Sequence, residues 1–564
     1  MLIILFSWLY IAYISLGMGL ILQSCMKFKH NSLFLIILGG LYIQLLFTTF
    51  YAYFYAVDQI FVLLNFIIAS IFLFKYLNYV RILVKNSYQL FNTLSIFYKC
   101  LSFGIGLLIL IQSSGAPFII DNESYYVQTI KWINHYGLVK GLANLHPFFG
   151  QNSGWHILQS SFNFNFLANY LNDLNGFILL IVSFFSIYKV SNYSTSKKRA
   201  DLFIGLLPIG NLFLFLFIDS PSTDLPIFIL SQVVFYFFLE IYISKNDKYL
   251  FYVGIICLLM ILIKVTVFPI IILPIILLLR NYSHKILFTL LWFSIISFFV
   301  FCFKNYLISG YPLYPLKMGS NWLNVDWIIN ENVLKFYYQF TEMHAFKVND
   351  WSVYSNLSIT QKILTWLNIP FLHGFFNKLV IFLLLFFPFI IRKDKSLFWI
   401  YMYSILQFII LFITSPQYRF FFSIILFLGL YTIAYYTPKK EVYIKGLLTI
   451  GNMFVLILIL LGGNFDRFTS NDMMQNKQPF NWSQIIKPVS NTKYNELTYK
   501  KMIEGNLEYH SPEIDNDFFW MTSDGPLPCV NNDQINFFKI NYNHIPQLRT
   551  DHLKDGFISV PVNQ

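Results

Sequence analysis

Leu101-Ser-Phe-Gly-Ile-Gly-Leu-Leu-Ile-Leu-Ile-Gln-Ser-Ser-Gly-Ala-Pro-Phe-Ile-Ile-Asp-Asn-Glu-Ser-Tyr-Tyr126 is the stretch that decides how the chain is read. The apolar run from Leu101 to Ile120 suits a hydrocarbon core about 30 Å thick, which takes about 20 helical residues. Two acids, Asp121 and Glu123, stand directly beyond it, where membrane chains usually offer neutral or aromatic residues. An acid held at the surface away from the cytoplasm can act as a general base, or hold a divalent cation against a phosphate.

Composition extends that reading to the whole chain. Of 564 residues 57% are hydrophobic and only 12% charged, 20% are aromatic and the mean hydropathy is +0.59. No soluble core hides so much apolar surface, so the chain is expected to be an all-α polytopic membrane protein. The net charge of +12 raises nucleic acid as a partner, but the bases cluster in short segments such as Lys75, Arg81 and Lys85, or Lys197, Lys198 and Arg199. Base-poor connections alternate with them. By the positive-inside rule the basic segments are cytoplasmic, which predicts about fourteen transmembrane helices with both termini outside. The charge excess then reports topology, and no nucleic-acid partner is expected.

Three regions follow. Residues 1–100 hold N-terminal transmembrane helices and a cytoplasmic linker, 101–461 the transmembrane core with outer loops 119–173 and 304–376, and 462–564 a small extracytoplasmic C-terminal region. The apolar run 249–279 is too long for one span and carries Lys264 in its middle, so it is read as a hairpin of spans 249–263 and 266–279. In the first outer loop Asp121 or Asn122 can cap a helix running to His135 and stopped by Gly137. A second helix starts at Asn152 or Ser153. Both read as amphipathic helices lying along the membrane interface. The five cysteines imply no disulfide framework.

The long first outer loop with acids at its start, the flat helices and the many spans resemble the GT-C type of integral-membrane glycosyltransferase. The matching segment is Asp121-Asn-Glu-Ser-Tyr-Tyr126. The stretch Lys140-Gly-Leu-Ala-Asn-Leu-His146 through Asn152-Ser-Gly-Trp-His156 is also similar to a family of large bacterial envelope membrane proteins. One departure is that three spans precede the acid loop, where the superfamily usually has one. The resemblance implies a GT-C-like core in a bacterial inner membrane, with its active face outside. It implies sugar transfer from a polyprenyl-phosphate-linked donor to an envelope glycan, lipid or protein, so the partners are a lipid-linked sugar, an envelope acceptor and membrane lipid. Asp121 is then the candidate base and Glu123 its companion. A divalent metal, Mg2+ or Mn2+, is an option that would fall to Glu123 and Asp219, since metal use varies in that superfamily.

Further candidates come from position. Asp219 and Asp224, in Asp219-Ser-Pro-Ser-Thr-Asp224, lie in an outer connection near the first; Asp224 also suits a helix start. Lys264 is costly within a span unless it snorkels or meets an anion such as a lipid phosphate. Arg419 opens a span on the outer side, where a guanidinium matches a phosphate bidentately. His146 and His156 share the first loop without metal-ligand spacing and are candidates for substrate contact only. Trp322, Trp327, Tyr337, Tyr338 and Trp351 could stack on sugars or form an interfacial belt. No phosphate-binding Gly-rich loop, Gly-x-Ser-x-Gly elbow or His-Glu-x-x-His occurs, which disfavours ATP-driven pumps, serine hydrolases and zincins. Two rivals stay open: a surface-polysaccharide polymerase or ligase, and a transporter or flippase of lipid-linked glycans.

Overall fold

Glycine sets the first contact of the helical bundle. The helices Leu2–Met26 and Leu33–Ala52 meet backbone to backbone: a Cβ on Gly40 would lie 1.7 Å from the Ser15 carbonyl oxygen, and one on Gly19 2.2 Å from that of Ile36. Small residues at such crossings are the usual means of helix association where lipid supplies no hydrophobic drive. The computed structural model describes all residues except 27–29, 165–172, 282, 319–324, 349, 438–439, 465–475, 515–517 and 563–564.

Among the described residues eleven helices are long and apolar enough to cross a membrane, or up to twelve if a bent pair counts as one span. The protein is therefore an all-α, multi-pass membrane protein in its core. Three of the expected crossings are shorter than the rest. One is Gln59–Lys75, capped by Asp58, whose carboxylate accepts from the Ile60 and Phe61 amides at 2.9 and 3.4 Å. It bends by 86° into Leu77–Asn92. That segment, expected as a linker, is instead an amphipathic helix carrying Arg81 and Lys85.

The hairpin supplies the other two. Leu250–Ile263 has 14 residues, about 21 Å at 1.5 Å per residue, too short to cross a ~30 Å core. The chain turns at Lys264 in an extended conformation and returns as Val265–Ile271, a 3-10 stretch containing Pro269, and then Ile272–Arg280. Because the first arm stops early, the turn places Lys264 in a cavity at the end of the bundle.

The C-terminal region folds as three antiparallel two-stranded sheets and the helix Asn532–Tyr542, and it docks on the first loop. The loop helices are Asn122–Tyr126 (π-helical), running on as Val127–Tyr136 to Gly137 (φ 76°), and Gly154–Ser160, capped by Ser153. The expectation that these helices lie along the interface is corrected. Every residue of Gly154–Ser160 is buried, and the first helix is covered by the C-terminal region: Gln128 donates to the Ser523 and Gly525 carbonyls at 3.2 and 2.8 Å, and Lys131 pairs with Asp524 at 3.0 Å. Further along, Phe557 donates to the Lys140 carbonyl at 3.0 Å and His544 bonds the Asn144 carbonyl at 2.9 Å. The five cysteines are free, and Cys529 is buried in the C-terminal region.

Candidate functional site

The chain leaves the helix Ile96–Ser113 through a turn and enters the π-helical segment after Asp121. Asp121 does not cap that helix; its side chain makes no capping bond. The carboxylate instead accepts from the Arg419 guanidinium at 2.7 Å and from the Tyr126 hydroxyl at 3.4 Å. Arg419 sits in the 3-10 turn Tyr418–Phe421 that leads into the helix Phe422–Tyr436. Its Nε lies 3.5 Å from Asp224, the first residue of the helix Asp224–Ser244. Asp224 in turn pairs with Lys264 at 2.5 Å, and the Lys264 ammonium stands 3.5 Å from the centre of the Phe420 ring.

Asp121, Arg419, Asp224 and Lys264 therefore form a row of alternating charges that sums to zero. Such a row survives desolvation because each charge has a partner, and removing one member strands the next. Asp121 is 22% exposed and Asp224 only 3%. Asp121 is thus the acid able to reach a substrate, while Asp224 is fixed beneath it.

These four residues line a cavity of about 1080 Å³. Tyr125, Gln151, His156, Tyr337 and Tyr338 face it too, with Trp520 from the C-terminal region, and Phe213, Leu216, Phe376, Phe454, Ile457 and Ile413 add apolar lining. Trp520 packs against Phe148, ring centroids 4.9 Å apart, and against His146 at 5.4 Å. Of the sugar-stacking candidates only Tyr337 and Tyr338 lie here; Trp327 packs on Tyr306, Trp351 on Tyr354, and Trp322 lies outside the described residues.

Of the remaining candidates only His156 lines the cavity. Glu123 is fully buried and turned away, its carboxylate accepting from the hydroxyls of Thr492 and of Ser523 (2.7 Å), the Lys493 amide (3.0 Å) and Asn122 (3.1 Å). Its backbone carbonyl takes the Thr522 and Ser523 amides. It pins the loop to the C-terminal region and does not line the cavity. Asp219 is buried behind the wall, accepting from Gln112 at 2.5 Å and the Phe118 amide at 3.2 Å. Lys477, which does face the cavity, donates to the other end of Gln112 at 2.6 Å. Burial raises the Asp219 carboxyl to about 7 against the pull of Lys477. Glu123 and Asp219 thus belong to separate hydrogen-bond networks and do not fit a shared metal, and no group of three His, Cys, Asp or Glu suited to a metal occurs among the described residues. His146 accepts from the Phe148 amide at 3.2 Å and stacks on Phe149, outside the cavity lining. His156 faces the cavity, and burial beside Lys304 pushes its pKa to about 3, so it is neutral.

Sequence reasoning missed Lys304, Lys477, Tyr126 and Trp520. Lys304, a base inside the end of an apolar run like Lys264, carried a readable signal; Lys477 and Trp520 come from a region with no local pattern pointing to the cavity.

Together the helices and the charge row define a multi-pass membrane protein with a charge-paired cavity at an end of its bundle. The chain belongs to the family described as a domain of unknown function, DUF8201, whose model matches residues 1–426. A search of curated proteins and one of solved structures each gave no match. The matched segment contains the whole charge row but ends before Lys477 and Trp520.

Proposed function

We propose that the protein is a membrane glycosyltransferase that moves a sugar from a polyprenyl-phosphate donor to an envelope glycan, lipid or protein. The observation that carries this reading is the Asp121 carboxylate, reachable and held by Arg419, in a cavity lined by both charged and apolar side chains. At about 1080 Å³ the cavity exceeds most small-ligand pockets, which span about 300–1000 Å³, and suits a sugar phosphate with the first units of its lipid. The apolar lining that includes Phe213, Phe376 and Ile457 would take the isoprenyl chain.

In this mechanism the acceptor hydroxyl oxygen attacks the anomeric carbon, the bond from that carbon to the phosphate oxygen breaks, and the phosphate leaves with the electron pair. The hydroxyl proton passes to Asp121. An incoming phosphate competes with Asp121 for Arg419, which frees the carboxylate to act as base, and Arg419 with Lys264 then meets the charge of the leaving group. By the distribution of basic residues, the cavity end faces away from the cytoplasm.

The test is transfer from labelled polyprenyl-phosphate sugars by the purified protein and by Asp121→Asn. Loss of the base should lower turnover by about 10²–10⁴. Turnover unchanged in the variant would remove Asp121 from the chemistry.

A further inference from the structure

The charge row neutralises itself, yet the cavity holds another buried cation. Lys304 stands on the helix His284–Ser309, about 7.5 Å from its end at 1.5 Å per residue. It is 6% exposed and lines the cavity. Its ammonium donates to the Asn152 carbonyl and lies 5.6 Å from the Phe301 ring centre. Among the described residues no carboxylate oxygen lies within 4.0 Å of it. A lysine in a spanning helix that neither reaches water nor meets an acid is expensive, and such residues mark ligand sites.

Its surroundings are polar and incompletely used. Asn152 also lines the cavity; its side-chain oxygen is buried without a partner, so the amide can meet a phosphate hydroxyl through that oxygen or, turned over, donate its NH2 to a phosphate oxygen. His156 faces the same space; the Pro221 carbonyl looks at its ring without closing a bond of good geometry. The His156 ring lies 4.7 Å from that of Tyr126, whose hydroxyl reaches Asp121. The cluster therefore adjoins the charge row, one aromatic ring away.

We infer that Lys304, with Asn152 and His156, forms an anion subsite that holds a phosphate group in the cavity. Resting on the donor proposed above, the anion is the phosphate of an isoprenyl lipid. A free phosphate or diphosphate has the same chemistry, and the test separates the two. The ligand supplies the negative charge that the fold withholds from Lys304, while Arg419 stays paired with Asp121 until that phosphate arrives.

The experiment uses the full chain in phosphatidylcholine nanodiscs, with binding of a long-chain isoprenyl phosphate, the matching isoprenol and inorganic diphosphate measured by calorimetry. Wild type and Lys304→Arg should bind the isoprenyl phosphate, and Lys304→Gln should bind it roughly 10- to 100-fold more weakly, the loss of one charge-assisted hydrogen bond. Isoprenol binding should not depend on residue 304. Asn152→Asp adds a carboxylate to the cavity-lining residue whose backbone carbonyl Lys304 meets and should weaken phosphate binding by charge repulsion, so the inference survives a poorly folding Lys304→Gln. Equal phosphate affinity in wild type, Lys304→Gln and Asn152→Asp overturns the subsite and leaves the lipid donor standing. Lys304-dependent binding of diphosphate with no isoprenyl phosphate bound keeps the subsite and overturns the lipid donor. No phosphate bound by wild type overturns the subsite outright.

Discussion

Asp219→Asn tests what the buried acid behind the cavity wall does. Asp219 is 3% exposed, and burial raises its carboxyl from the ordinary 3.8 to about 7. A shift of this size corresponds to about 4 kcal/mol at ~1.4 kcal/mol per pH unit. The sign follows from proton uptake: with the folded pKa above the unfolded one, the folded state holds the proton more tightly. The stability Asp219 contributes is then complete below about pH 4 and is lost as pH rises through about 7. Asparagine keeps the side-chain oxygen that accepts from Gln112 or Phe118 and does not titrate. Melting temperatures of the purified protein across pH 4–8 should therefore fall with rising pH more steeply in wild type than in the variant, which overtakes it toward neutrality. A difference that is flat with pH, or that runs the other way, would refute the argument. The second result would mean that Lys477 outweighs burial and keeps Asp219 ionised.

The pair beneath the cavity makes a sharper stability test. Lys264→Met leaves Asp224 with only the Arg419 guanidinium, which it shares with Asp121, and should destabilise by about 1–3 kcal/mol, while adding Asp224→Asn should restore part of the loss; unfolding energies that add within ~0.5 kcal/mol in the double variant would show no coupling. At the first helix crossing, Gly40→Ala puts a methyl 1.7 Å from the Ser15 carbonyl and should force the helices apart at a cost of about 1–3 kcal/mol. An unchanged melting temperature in that variant would contradict the close contact.

Much of the bundle was legible because a spanning helix announces itself locally. The run before Asp121, the hairpin at Lys264, the stop at Gly137 and the start at Ser153 each depend on residues a few positions apart. Placing the connections at one end brings Asp121, Asp224, Lys264 and Arg419 to the same region, but it brings Asp219 there equally, and Asp219 lies behind the cavity wall. What failed to show depends on contacts across the chain. Glu123 looks like a solvated or catalytic acid from its neighbours, but its fate is set by Thr492 and Ser523, 369 and 400 residues away. The first-loop helices look amphipathic, but their polar groups meet protein: Gln128 and Lys131 meet the C-terminal region, and Trp155 and Gln159 meet Asn175 and Asp173. That region hid its strands, the longest of which has 6 residues, too short to stand out among scattered polar residues.

The row of alternating charges also imposes an order on biosynthesis. Asp224 meets Lys264 after 40 residues, but Asp121 must wait for a guanidinium 298 residues downstream. Throughout that interval the ribosome has released an acid with no counter-ion, and a bare carboxylate prefers water to a lipid or protein surround. The early helices must therefore keep this edge wet while the later ones are threaded, and the arrival of Phe422–Tyr436 is the event that seals it. Maturation of the pocket is in this sense a late step, closed by the segment carrying Trp520 only after the membrane part is in place.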